Sequence, residues 1–357
     1  MNCGGAIAGA SLPDKTRPTG RPPRAVILGC AGERLTAAEA KFFAAADPAG
    51  FVLFRRNCRN RERVRALVGD LRGAVGRPDA PILIDQEGGR VARLGPPEWR
   101  TYPAPAALAR LPDPLAEEAV RLGARLIAGD LAELGITLDA APVLDLPIAG
   151  ADPVIGDRAY GSDPARVAAL GRACCDGLIA GGVLPIVKHI PGHGRAQVDS
   201  HRACPRVAAE QAVLSQTDFA PFRALAAMPW AMTAHIVYAA IDNSAPATFS
   251  ATVIDTIIRG EIGFRGVLIS DDISMGALTG TLAERTCRAL EAGCDLVLHC
   301  TGVLAEMVEV AEAAAPLSPA AEDRLVRGEA LRRRGRHLFD ARWGAVRFAE
   351  LLSGAGA

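Results

Sequence analysis

Eight short apolar runs, separated by helix-like segments, most constrain what this chain can fold into. Runs of this length between turn residues are typical of buried strands, and strands that alternate with helices form parallel sheets. Eight such units predict a (β/α)8 TIM-type barrel in the α/β class, with a doubly wound open sheet as the alternative. The runs are residues 24–29, 50–54, 81–85, 141–145, 183–187, 229–235, 266–271 and 294–299.

Polar residues stand at the ends of many runs, which favours the barrel over the open sheet. A barrel brings the carboxyl ends of all its strands to one mouth, where enzymes of this architecture place their active sites. We therefore expect a single-domain barrel with its active site at that mouth. The polar residues are Asp85, Asp145, Lys188, His235, Asp271 and His299.

The rest of the chain completes this picture. One long helix is predicted over 211–227, and two more over 303–352. The barrel and its C-terminal helices are expected to occupy residues 24–352. Residues 1–23 are rich in glycine, proline and arginine, and we expect them to be a disordered tail.

Charge and cysteine content limit the possible partners and location. Lys plus Arg and Asp plus Glu are balanced at 40 each among 357 residues, so the net charge gives no reason to expect nucleic acid or an anionic membrane as partner. No apolar run is long enough to span a bilayer. Nine scattered cysteines without a Cys-x-x-Cys pair favour reduced thiols. We expect a cytoplasmic monomer.

Segment 188–201 carries the densest group of titratable residues, including three of the six histidines. Pro191 and two glycines prevent this segment from forming a helix. Asp199 can accept the ring N–H of His201, two residues later, and so favour a ring suited to proton transfer near neutral pH. The titratable residues are Lys188, His189, His193, Asp199 and His201.

The same segment offers potential metal ligands. His189 and His193 are four residues apart, as in helical zinc sites, but Pro191 lies between them and the glutamate base of such sites is absent. We therefore favour acid–base chemistry and expect neither a metal nor another cofactor.

Acids follow two other runs. Asp271 is followed directly by Asp272, so that one can cap the next turn while the other points into the mouth. Asp85 precedes a Gly-Gly pair, but the acids around that pair disfavour bound phosphate, and a carboxylate there suits sugar hydroxyls. Two interpretations of Arg90 and Arg93 stay open: they pair with Glu87, or they face an anionic ligand.

Segments 188–194 and 199–201 closely resemble the signature loop of family 3 glycoside hydrolases. More narrowly, they resemble the bacterial cytoplasmic β-N-acetylhexosaminidases of muropeptide recycling. Segments 85–91, 153–160 and 270–275 are similar to other stretches of that family, in the same order.

The resemblance implies a (β/α)8 barrel that removes terminal β-linked N-acetylglucosamine with retention. Asp271 would be the nucleophile, and His201 the general acid/base with Asp199 as its partner. The residues that would hold the sugar are Asp85, Arg93, Arg158, Lys188 and His189. Relatives often have an acid where Arg195 stands, which leaves open how the loop approaches the leaving sugar.

The implied substrate is a small carbohydrate, either an N-acetylglucosaminyl muropeptide or a chitooligosaccharide. Other functions stay open. A glycoside phosphorylase could use the same barrel, because a histidine acid would not repel a phosphate dianion and Arg93, Arg158 and Lys188 supply cations. A metal-dependent hydrolase and a sugar-binding module without catalysis are further alternatives.

Overall fold

Eight parallel strands form a closed barrel in the computed structural model, which describes residues 21–353. Each strand pairs with the next along the chain, and the eighth pairs with the first, where Val26 lies beside Val297. The predicted (β/α)8 barrel is confirmed, and the open sheet is wrong. Strands β1 to β8 are Arg24–Leu28, Pro48–Leu53, Ile82–Ile84, Leu138–Asp139, Leu184–Ile190, Trp230–Thr233, Val267–Asp272 and Leu296–His299.

Helices connect the strands and follow the last one. A π-helix, Val253–Glu261, precedes β7. Within residues 21–353, no helix has the length and apolar character needed to cross a membrane. Helices α1 to α11 are Ala37–Ala46, Arg61–Ala74, Pro105–Leu108, Leu115–Glu133, Pro164–Ala180, Gln211–Gln216, Ala220–Ala224, Leu282–Glu291, Leu304–Ala313, Pro319–Gly335 and Ala341–Ser353.

The strands bury both of their faces. Ile27 and Trp230 belong to a core inside the barrel, whereas Val26 belongs to the core between barrel and helices. This alternation follows from the two-residue period of a strand. Ala321 and Leu325 of α10 pack against the inner core. Because α10 lies against the start of β6, it covers the end where the strands begin, and the opposite end is left to the site.

The fourth strand is not where the sequence placed it. The barrel strand is Leu138–Asp139, and the predicted run 141–145 lies beyond it. Pro142 has no N–H to donate to a ladder. The backbone of the run therefore pairs with β5 through an isolated bridge between Val143 and Lys188 instead of a continuous ladder.

Two helix predictions also need correction. The predicted helix 211–227 is two short helices, α6 and α7, because Pro221 cannot donate the hydrogen bond that would continue a single helix. Three helices follow β8 instead of two, and Pro316 separates the first two of them. The predicted tail lies outside the described residues, apart from its last three positions.

Candidate active site

Five charged side chains meet at the mouth of the barrel, and we call them the charge network. Lys188 Nζ lies 2.9 Å from Asp85 Oδ1 and 2.6 Å from Glu87 Oε1. Arg93 Nη2 lies 2.8 Å from Asp85 Oδ2. Arg158 binds Glu87 through two hydrogen bonds of 2.8 and 2.9 Å. Each carboxylate therefore contacts two cations, and Lys188 joins the two halves.

Strand geometry places these groups. β5 runs to Ile190, three residues beyond its predicted end, so Lys188 and His189 are strand residues rather than loop residues. Asp85 follows β3, and Glu87 lies in the short extended segment Gln86–Gly88. Because side chains two residues apart in an extended chain share a face, Asp85 and Glu87 both reach Lys188.

Ion pairing keeps the charge network ionised. Burial raises the pKa of Asp85, but Lys188 and Arg93 outweigh it and hold that pKa well below its usual value. Burial acts on Glu87 in the same way, and Lys188 with Arg158 lowers its pKa. For Lys188, burial lowers the pKa, and the two carboxylates more than reverse this. All three groups are therefore charged at neutral pH.

Glu87 is a site residue that the sequence interpretation missed. The expected partners Arg90 and Arg93 bind elsewhere: Arg90 Nε lies 2.8 Å from Asp157 Oδ1, and Arg93 binds Asp85. The two-residue spacing from Asp85 was the available signal, because it puts both carboxylates on one face.

Asp145 is a second residue whose role the sequence interpretation missed. It organises two histidines. Its Oδ2 lies 2.7 Å from His189 Nδ1, and its Oδ1 accepts the backbone N–H groups of His189 and His193 at 3.2 and 2.6 Å. Burial raises the pKa of Asp145, but His189 and His193 bring it below the usual value. A buried carboxylate thus fixes the ring of His189.

Asp139, the last residue of β4, is a third residue whose role the sequence interpretation missed. Its Oδ1 accepts the backbone N–H of Gln86 at 2.9 Å, whereas its buried Oδ2 has no hydrogen-bond partner within residues 21–353. Burial raises the pKa of Asp139 to about 7. It lies near the charge network, and among the described residues it forms no ion pair.

Asp271 lies half-buried near the end of β7. Its Oδ1 accepts the N–H of Asp272 at 2.7 Å, while Asp272 itself binds Ser274. Burial raises the pKa of Asp271, but His235 and His189 lower it further than burial raises it. The two adjacent acids therefore differ in their contacts: Asp272 caps the turn, and Asp271 is an ionised carboxylate near His235, His189 and Lys188.

The expected contact between Asp199 and His201 is present. Asp199 Oδ1 lies 2.7 Å from His201 Nδ1 and also accepts the backbone N–H of His201 at 2.9 Å. The His201 side chain is 64% exposed. Burial raises the pKa of Asp199, but the hydrogen bonds from His201 together bring it below the usual value. The carboxylate thus orients an imidazole that is open to solvent.

The potential metal ligands of segment 188–201 have separate partners. His189 contacts Asp145, His193 Nε2 lies 3.1 Å from Ser200 Oγ, and His201 contacts Asp199. Burial and the neighbouring His189 lower the pKa of His193 to about 4. Within residues 21–353, no three His, Cys, Asp or Glu side chains converge to hold a metal ion.

Arg195 contacts neither Asp271 nor the Asp199–His201 pair, which we call the dyad. Its Nε lies 2.7 Å from Asp218 Oδ2, and its Nη2 donates to Thr217 Oγ1 at 3.1 Å. The Asp218 side chain is almost fully buried. Arg195 therefore ties the first half of the segment to the turn between α6 and α7.

The sequence profile of the glycosyl hydrolase family 3 N-terminal domain matches residues 25–327. The chain belongs to glycosyl hydrolase family 3. A family member named beta-hexosaminidase from Alkalilimnicola ehrlichii is 41% identical over 282 residues, which are 77% of this chain and 80% of that protein. Another of that name, from Chromobacterium violaceum, is 39% identical over 313 residues, 86% of this chain and 87% of the other.

Solved structures agree with the family. Native NagZ from Neisseria gonorrhoeae superposes with a TM-score of 0.81 at 32% identity, covering 94% of this chain and 99% of that one. The same protein in complex with N-trifluoroacetyl-D-glucosamine gives the same values. This chain is therefore a family 3 glycoside hydrolase over nearly its whole length.

Proposed function

We propose that this family 3 enzyme is a retaining exo-β-N-acetylglucosaminidase. The observation that carries the proposal is the division of labour at the mouth. An ionised, half-buried carboxylate, Asp271, lies near His235, His189 and Lys188, which lower its pKa, and a solvent-open imidazole, His201, is oriented by Asp199. A nucleophile needs the first environment, and a group that gives and takes protons needs the second.

The reaction proceeds in two displacements. Asp271 attacks the anomeric carbon while the bond to the leaving oxygen breaks, and His201 gives its Nε2 proton to that oxygen. The neutral ring then takes a proton from water, whose oxygen attacks the anomeric carbon and releases Asp271. Asp199 stabilises the ring whenever it is positively charged. Two inversions give net retention, with a histidine in place of the usual second carboxylate.

Four residues of the charge network, together with His189 beside it, are proposed to hold the non-reducing sugar; the five are Asp85, Arg93, Arg158, Lys188 and His189. Every charge in the network has an oppositely charged partner, and the three cations exceed the two carboxylates by a single charge, so the network offers hydrogen-bonding groups to a ligand with most of its field compensated. That suits the hydroxyl and acetamido groups of an uncharged sugar.

The names of the relatives support the choice of sugar. Two are called beta-hexosaminidase, and a third was solved with an N-acylated glucosamine. We propose a muropeptide-derived N-acetylglucosaminide or a chitooligosaccharide as substrate. We further propose that residues 24–352 act as one domain, as a monomer, in the cytoplasm.

Hydrolysis is preferred to phosphorolysis. Arg93, Arg158 and Lys188 are already paired with Asp85 or Glu87. A phosphate dianion would have to displace a buried carboxylate from each cation, which costs more than admitting water.

The test is a comparison of the 4-nitrophenyl β-glycosides of N-acetylglucosamine and glucose, with and without phosphate and EDTA. We expect release from the N-acetylglucosaminide alone, unaffected by either addition. Proton NMR of the first product should show the β-anomer. No release would refute the proposal, sugar 1-phosphate would favour the phosphorylase, and loss of activity with EDTA would favour a metal enzyme.

Asp271→Asn identifies the nucleophile. Its turnover should fall by about 10⁴-fold or more, as when a covalent nucleophile is removed from a hydrolase. Asp163→Asn is the matched control, because Asp163 caps α5 and asparagine caps equally well. Normal turnover by folded Asp271→Asn protein would reject this assignment.

A further inference from the structure

The chain segment that carries the Asp199–His201 pair has few contacts with the rest of the protein. Between residues 197 and 204, only Ser200 is buried, at 3% exposure. Gln197 and Val198 before it are exposed, and His201 after it is exposed as well. The position of the dyad therefore depends on how Ser200 is held.

Three hydrogen bonds of Ser200 and His201 hold this segment in place, and we call them the Ser200 anchor. Ser200 Oγ lies 3.1 Å from His193 Nε2. The backbone oxygen of Ser200 accepts the N–H of Ala277 at 3.0 Å, and that of His201 accepts the N–H of Gly276 at 3.2 Å. The anchor thus joins the dyad to the buried start of its own loop and to the turn that follows Asp271.

Both attachment points are firm. His193 is 3% exposed, and its backbone N–H binds Asp145. The lowered pKa of its ring keeps it uncharged at neutral pH, so the contact with Ser200 does not change with protonation in that range. On the other side, a Cβ at Gly276 would lie 2.8 Å from the backbone oxygen of His201. Glycine is therefore what allows the two chain segments to approach this closely.

We propose that Ser200 is a positioning residue for proton transfer: the anchor sets the place of His201 relative to Asp271 without touching the substrate. The proposal rests on the proposed function, in which His201 is the general acid/base. It assigns a role to the serine between the two dyad residues and to Gly276, five residues after the nucleophile.

The test uses leaving groups of different acidity. A 2,4-dinitrophenyl glycoside needs no protonation to leave, whereas an alkyl or 4-methoxyphenyl glycoside does. For Ser200→Ala, kcat/KM should fall about tenfold with the poor leaving group and less than about twofold with the good one, as expected for one lost positioning hydrogen bond. Ser200→Thr, which keeps the hydroxyl, should restore the poor-leaving-group rate.

Two further variants make the test independent of one substitution. Gly276→Ala should push the same segment outward and give the same dependence on leaving group. Ser250→Ala is the matched control, since Ser250 is also buried and hydrogen-bonded, to Asp242 and Val253, but not to the loop. It should leave the ratio of the two rates unchanged, and thermal unfolding shows whether each variant is folded.

The outcomes separate the two proposals. An equal loss with both leaving groups, or no loss, in folded Ser200→Ala and Gly276→Ala overturns the anchor while the parent enzyme remains active. Absence of turnover by the parent protein, in contrast, overturns the proposed function itself.

Discussion

The charge network and the Asp199–His201 dyad lie at the same mouth but are built in opposite ways. In the network, Lys188 is 2% exposed and contacts two carboxylates. In the dyad, His201 is 64% exposed and contacts one. In the network, Lys188 lies in β5 and Asp85 directly follows β3, whereas the dyad lies in segment 197–204, where only Ser200 is buried.

This difference fits the role that we propose for each region. Holding a sugar requires fixed groups whose desolvation has been compensated during folding, and buried ion pairs meet that need only when every charge has a partner. Proton transfer requires an oriented ring that can exchange protons with water, and burial would lower the proton affinity of the ring. We therefore expect a substitution in the charge network to lower both stability and activity, and a substitution in the dyad to lower activity alone.

The largest effect is expected at Lys188, where both properties should fail together. Lys188→Met removes the cation shared by Asp85 and Glu87 and leaves each carboxylate with one partner, Arg93 or Arg158. We expect a loss of about 3 kcal/mol in the free energy of unfolding, the lower end of the cost of breaking a buried ion pair, together with loss of detectable turnover. Urea denaturation and the aryl-glycoside assay measure the two quantities.

Lys41→Met is the control for that experiment, since Lys41 is exposed on α1. If Lys188→Met is as stable as the control, the network does not contribute to the fold, and the contrast with the dyad is lost.

The second effect, at His201, should be confined to activity. His201→Ala should lower kcat/KM for a poor leaving group by about 10²–10⁴-fold, the usual contribution of general acid–base catalysis. The free energy of unfolding should change by less than about 0.5 kcal/mol, because the side chain is exposed. His337→Ala removes another exposed histidine and should change neither. A destabilised His201→Ala protein would contradict the contrast.

The smallest effect concerns Asp139, the buried carboxyl group behind the network that has no ion pair. Its pKa is raised to about 7, against about 3.9 in an unfolded chain. Between these values the folded protein keeps a proton that the unfolded chain has released, so this group destabilises the fold progressively as pH rises through that window. Asp139→Asn cannot ionise, and it should gain about 1–3 kcal/mol on the parent between pH 5 and pH 8.

Denaturant unfolding at the two pH values tests this directly. Asp85 and Glu87 give the opposite dependence, because their lowered pKa values contribute stability that is present above about pH 4 and lost as the solution becomes more acid. An Asp139→Asn protein whose advantage does not grow with pH would mean that Asp139 is paired in solution.

The fold could be predicted because eight apolar runs and their polar ends repeat along the chain. The predicted strand and helix boundaries were wrong where a proline interrupts an apolar run. Pro142 lies in the run predicted as the fourth strand, and Pro221 lies in a predicted helix that is two helices. In both cases a missing N–H removed a hydrogen bond that the pattern had assumed.

The candidate site was only partly predictable. The dyad contact follows from a spacing of two residues, so the sequence sufficed for Asp199 and His201. Glu87 contacts Arg158 and Lys188 because β3 and β5 lie on either side of the short β4. These residues are far apart in the sequence, so their spacing along the chain does not predict the contact. Asp145 was identified at a strand end, but its hydrogen bond with His189 also joins residues that are far apart in the sequence.

The open position of His201 also affects which molecules can complete the reaction. Bulk solvent reaches the ring, so under the proposed mechanism an alcohol that binds beside it would be deprotonated as water is. An alcohol present at high concentration would then receive the sugar from Asp271, forming a new glycoside. The exposed loop, rather than the charge network, is therefore the part to redesign for synthesis.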